Sequence, residues 1–159
     1  MISESDMLSL GHAFADCQAH ADALGDALAD LTLRQLTSQD LEHPAKTDRR
    51  LLDQFAYRYT RLQDDMGARL MPAALRALGE DIAPLSMLDR LNRLEQLGWL
   101  PSADEWGDLR RVRNEFTHDY PEALAEQYSR LHHALASAQR VLEIFNHLSD
   151  RIRSKFPGL

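Results

Sequence analysis

Residues 109–121 read Leu-Arg-Arg-Val-Arg-Asn-Glu-Phe-Thr-His-Asp-Tyr-Pro, and the side chains there that can do chemistry are Arg113, Asn114, His118 and Tyr120. Histidine titrates near neutrality and serves as acid or base, while arginine carries a permanent charge on a planar fork matched to phosphate oxygens. These are the group types that metal-free cleavage of a ribose phosphodiester requires. One group takes the proton from the 2′-hydroxyl, one protonates the leaving 5′-oxygen, and a cation meets the charge on phosphorus. A single histidine and a single motif arginine are fewer than the reaction wants. On an ideal helix a separation of five residues also sets them about 140° apart. Pro121 disfavours helical geometry at Tyr120, so the helix is expected to fray near residue 118 or 119 and free His118 to swing.

The helix that must hold these groups has its own pattern. Trp106, Leu109, Arg113, Phe116 and Tyr120 follow at steps of three, four, three and four, placing an arginine and a tyrosine in an apolar stripe. Buried arginine costs several kcal/mol unless paired, so Arg113 is either locked to a carboxylate, such as Asp108 or Glu115, or kept for a phosphate-like ligand. Taken singly, His118 reads equally as a capping residue near a helix C-terminus and Tyr120 as a core or interface tyrosine.

Taken together, Arg113, four residues, His118, one residue and Tyr120 form R-x4-H-x-Y, with polar Asn114 directly after the arginine. This resembles the signature of the HepT ribonuclease toxins of the HEPN superfamily. The motif spans eight residues, and the similarity in architecture extends over most of the chain. The resemblance implies an all-α, HEPN-like bundle and an endoribonuclease acting on RNA through Arg113 and His118, with Asn114 orienting the site or contacting the scissile phosphate. It also implies a homodimer or higher oligomer in which two copies of the motif face one cleft. A minimal nucleotidyltransferase antitoxin is implied as well, silencing the toxin by transferring AMP onto Tyr120. AMP attached there would place a phosphate and a base where RNA must lie. The rival expectation is a non-catalytic helical module that holds a nucleotide or the nucleotidyltransferase, with Arg113 simply binding a phosphate.

Composition narrows the remaining choices. A chain of 159 residues is expected to form one domain over 1–159 with a real core. The single cysteine, Cys17, falls on an apolar helical face and reads as a buried thiol in a reducing compartment. An acidic N-terminus, Met1 to Asp6, lacks the basic and apolar regions of a signal peptide, and no apolar run reaches membrane-spanning length, so a cytoplasmic protein without membrane association is expected. The net charge of −7 is uneven: residues 1–45 hold eight acids against one base, residues 46–113 twelve bases against eleven acids. The excess acidity therefore belongs to the first helix, and a basic surface around the motif remains open. His12, His20, His43, His132, His133 and His147 show no spacing that resembles a zinc site, and no glycine-rich phosphate loop is present, so neither a metal nor another cofactor is expected.

An all-α, up-and-down bundle of four to five helices is the fold that the periodicities predict. Residues 3–34 carry Leu10, Phe14, Cys17, Ala21, Leu24, Leu28 and Leu31 at alternating steps of four and three, capped by Ser3 or Ser5. A second helix begins near Thr47-Asp48 with Leu52, Phe55, Tyr59, Leu62 and Met66 on one face. Pro72 is expected to end or kink it, and Gly79 to cap the segment 73–78. Its other face, Arg50, Tyr57, Arg58 and Arg61 among Asp53, Asp64 and Asp65, reads as a solvated surface. Residues 84–97 give a shorter helix opened by Ser86, and Ser102 to Glu105 form a capping box for the motif helix. The last helix, about 122–154, repeats Leu124, Tyr128, Leu131, Leu135, Ala138, Leu142, Phe145, Ser149 and Ile152, a seam for a bundle or a dimer interface.

Overall fold

The computed structural model describes residues 2–118 and 123–159, and all regular structure among them is helical. Helix α1 spans Glu4–Arg34, α2 is one turn at Ser38–Glu42, and α3 spans Lys46–Asp65. A π turn, Met66–Leu70, joins α3 to α4, Met71–Ala77. Helix α5 covers Met87–Gln96, α6 Ala103–Thr117 and α7 Leu124–Lys155.

The ends of these helices form where the chain supplies caps. Ser3, Ser86 and Ser102 each accept from the backbone N–H three residues on, at 3.0 to 3.1 Å. At Ser102 only half of the expected capping box forms. Glu105 turns instead to Arg140 of α7, donated to from Nε and Nη2 at 2.9 Å each. Gly79 (φ +86°) and Gly98 (φ +78°) close α4 and α5 in the same way: Glu80 N–H reaches the Leu75 carbonyl and Trp99 N–H the Leu94 carbonyl. A left-handed residue is needed at both places, and glycine adopts it without a Cβ penalty.

Contacts between named residues fix the directions. Helix α1 pairs Arg34 with Asp48, His20 with Arg58, Asp16 with Arg69 and Asp6 with Arg76, so it runs antiparallel to the whole α3–α4 rod. Trp106 faces Gly67, and Phe116 faces Phe55 and Tyr59, which sets α6 antiparallel to that rod. Glu105 meets Arg140, and the carbonyl of His118 meets Arg130, so α7 returns antiparallel to α6. The result is an up-down-up-down bundle of four long rods, with α5 as a short link. Its core runs from Leu10, Cys17 and Leu24 of α1 through Phe55, Tyr59 and Leu62 of α3 to Trp106, Ile144 and Phe145, all essentially inaccessible.

Pro72 does not end the helical run. Proline has no N–H to give to the carbonyl four residues back, and its ring crowds that turn. The chain widens just before it: Met71 N–H donates to the Met66 carbonyl five residues earlier, and the helix then resumes. Asp65, expected on the solvated face, is buried beside the same turn, within 3.5 to 3.7 Å of His20, Arg61 and Arg69.

Candidate functional site

Helix α6 presents the motif on a firmly held base. Trp106 is wholly buried and Leu109 nearly so, while the Phe116 ring packs edge-on against Phe55 and tilted against Tyr59, both centroids at 5.7 Å. Phe55 and Tyr59 are themselves stacked at 5.4 Å, and the Tyr59 hydroxyl donates to Ser137 of α7 at 3.1 Å. Burial pushes the Tyr59 phenol up, the Ser137 bond and the Arg113 charge acting the other way. That stack fixes the roll of α6 about its axis, and hence where Arg113 points.

Arg113 is held by α3. Its Nε donates to Asp64 Oδ1 at 3.0 Å and its Nη2 to Oδ2 at 2.5 Å, a two-pronged pair. Nη1 completes the set with a bond to the Thr117 hydroxyl at 3.1 Å. The arginine side chain is 21 % exposed and the Asp64 side chain 48 %, so the pair stands at the rim of the bundle. Neither Asp108 nor Glu115 is the partner; Asp108 instead pairs with Arg111.

His118 is the first residue past α6, and its backbone (φ −74°, ψ 132°) is extended. The helical φ at His118 leaves its Cβ near the direction set by α6, so the expected offset of about 140° from Arg113 largely persists, and the chain departs from the helix only after the histidine. His118 is exposed, its N–H reaches the Glu115 carbonyl at 3.3 Å, and its own carbonyl accepts from Arg130 Nη1 at 2.7 Å. The same guanidinium nitrogen donates to the Glu115 carbonyl at 3.3 Å, tying the end of α6 to α7. Asn114 is exposed on the flank next to Arg113, its carbonyl accepting from the Thr117 hydroxyl at 3.1 Å. Tyr120, the expected modification site, lies outside the described residues.

Arg113, Asn114 and His118 thus share one helix end, and three partners join them that the local sequence does not reveal: Asp64, Thr117 and Arg130. Asp64 is 49 residues from Arg113, so no helical spacing signals it. Thr117 has a faint signal, four residues after Arg113 on the same face. Chemically the end of α6 offers a fixed cation, an exposed imidazole and an amide. Among the described residues no three potential metal ligands come together, and no helix is long and apolar enough to cross a membrane. Cys17 is buried in the core, where burial foremost pushes its thiol up to about 12.

No family model matches the chain, and no curated protein or solved structure matches it significantly.

Proposed function

We propose that the chain is a metal-independent endoribonuclease toxin of the HepT type, working as a dimer with Arg113 and His118 as its catalytic residues. The observation that carries the reading is the break of α6 at His118: the imidazole stands on extended backbone one turn beyond an arginine fixed in direction. In this mechanism the ribose 2′-oxygen attacks phosphorus and gives its proton to one imidazole. The bond from phosphorus to the 5′-oxygen breaks, and a second imidazole protonates the departing oxygen. One His118 per chain means that the second comes from another copy, and the two Arg113 side chains meet the charge on the phosphoryl oxygens. The products carry a 2′,3′-cyclic phosphate and a 5′-hydroxyl. A nucleotidyltransferase partner would silence the site by placing AMP on Tyr120, filling the space with a phosphate that competes for Arg113.

One feature favours a second reading. Arg113 already has a carboxylate partner, so a binding module that cuts nothing, holding a nucleotide or the nucleotidyltransferase, would need no more than this arrangement. Incubation of the purified protein with a defined RNA, with and without EDTA and alongside His118→Ala, separates the two. Cleavage that survives chelation and is lost in the variant supports the nuclease; an intact RNA in every lane leaves the binding module.

A further inference from the structure

We propose that a small cavity beside the motif receives one nucleobase of the RNA whose phosphate meets Arg113, and that Gln63 reads the edge of that base. The proposal rests on the nucleic-acid reading of Arg113 but not on cleavage. The cavity, about 150 Å³, is lined by Gln63, Asp64, Gly67, Ala68, Met87 and Arg110. At about 30 Å³ per water it has the volume of about five waters, too little for a drug-sized ligand and on the scale of a single planar ring.

What marks it as a binding place is an unmet amide. Gln63 is 2 % exposed, and neither its Nε2 nor its Oε1 has a hydrogen-bond partner. Buried amides are ordinarily satisfied, so a side chain with both ends unmet calls for a ligand or an ordered water, and because neither atom has surface of its own in the cavity, a base reaches them only once the side chain turns outward. Trp106, behind the cavity wall, has another unmet group: its buried Nε1 has no partner and lies against Gly67, which lines the cavity. A donor and an acceptor side by side match the edge of a base, as glutamine and asparagine match adenine. The cavity also sits where the rod widens, and such π turns are frequent at functional sites.

Position relates the cavity to the motif. Asp64 lines it while its carboxylate holds Arg113, and Arg110, exposed and one turn before Arg113 on α6, stands at its edge. A nucleotide with its base in the cavity would therefore have its phosphate between two arginines. Met87, unbranched and 40 % exposed, forms a wall that can swing to admit a ring.

The test follows the indole N–H resonances of Trp106 and Trp99 by NMR while the four nucleoside 5′-monophosphates are added in turn. One nucleotide is expected to bind about tenfold tighter than the weakest, from one or two net hydrogen bonds, and to move Trp106 but not Trp99. Gln63→Leu should erase the preference, and Arg110→Ala should weaken all four alike. Ala68→Phe, made at an exposed position, should block the cavity without disturbing the core, which keeps the proposal testable if Gln63→Leu does not fold. A base preference in a protein that cuts no RNA upholds the pocket while removing the nuclease. RNA cut by wild type and Gln63→Leu with the same base profile, with the Trp106 resonance unmoved, overturns the pocket and assigns the amide to a trapped water, leaving the nuclease intact.

Discussion

Asp64 is the residue whose removal tests most directly what Arg113 is for. Asp64→Asn keeps the side chain's shape but removes the charge that faces Nε and Nη2 of Arg113. Because the aspartate is 48 % exposed, the pair belongs with surface ion pairs worth about 0.2–1 kcal/mol, and its two-pronged geometry sets it near the upper end. The midpoint of thermal unfolding should then fall by no more than about 2–4 °C. If Arg113 serves a phosphate, the lost carboxylate was a competitor, and RNA should bind tighter, by about tenfold at low salt with the gain shrinking as salt screens it. Fluorescence anisotropy of a labelled RNA at two salt concentrations, with denaturant melts of Asp64→Asn, Arg113→Ala and the double variant, measures both effects. Should Asp64→Asn lose RNA binding as completely as Arg113→Ala, the carboxylate would be aiming the arginine instead of competing for it. A loss of stability above about 3 kcal/mol would place the pair among buried ones and refute the reasoning from exposure.

Three further outcomes are expected. His118→Ala should abolish RNA cleavage with thermal stability unchanged, since the residue is exposed past the end of α6, and mixing it with Arg113→Ala subunits should restore activity if the two residues act from opposite chains. Tyr120→Phe should keep most of the nuclease activity yet gain no AMP when incubated with the nucleotidyltransferase and ATP, as read by intact mass. His20, buried first of all and facing Arg58, is held below its ordinary value of 6.5, so it stays neutral in the fold while the unfolded chain takes up the proton. Stability should thus be full above about pH 6.5 and decline as pH falls below it, and His20→Gln should flatten that slope in urea melts between about pH 7.5 and 5.

Much of the bundle is legible in the sequence because its periodicities are local. All seven residues of the α1 seam, Leu10 to Leu31, are buried, as are Phe55, Tyr59, Leu62 and Met66. The seam expected for α7 is too narrow: Leu131, Ala138, Phe145 and Ile152 face the core, but so do Ala134, Val141, Ile144 and Leu148, because a helix wedged between neighbours buries a broad face and not a two-position seam. Leu135 and Leu142 end half-buried on its edge. Asp65 is hidden from sequence reasoning, since a charge in a run of polar residues looks solvated until α1 brings His20 over it. At the site, the end of α6 can be placed from Pro121, whereas Asp64 is linked to Arg113 only by the packing of α3 on α6 across 49 residues.

The π turn of Met66–Leu70 also acts as a phase shifter along the rod. A helix advances about 100° per residue, so one residue accommodated in a widened turn rotates everything before it relative to everything after it. Downstream of the turn Met71, Ala73, Ala74, Leu75 and Ala77 lock α4 into the core, which fixes the rotational setting of that half. Upstream, the direction of Asp64 toward Arg113 is then the setting that the extra residue supplies. Deleting one exposed residue, Ala68, would take the extra residue out of the turn while Pro72 still lacks the N–H that an unbroken ladder needs. The two halves would then be about 100° out of phase, so Phe55, Tyr59 and Leu62 could not stay buried together with the α4 residues, and the place of Asp64 opposite Arg113 depends on chain length along with the core itself.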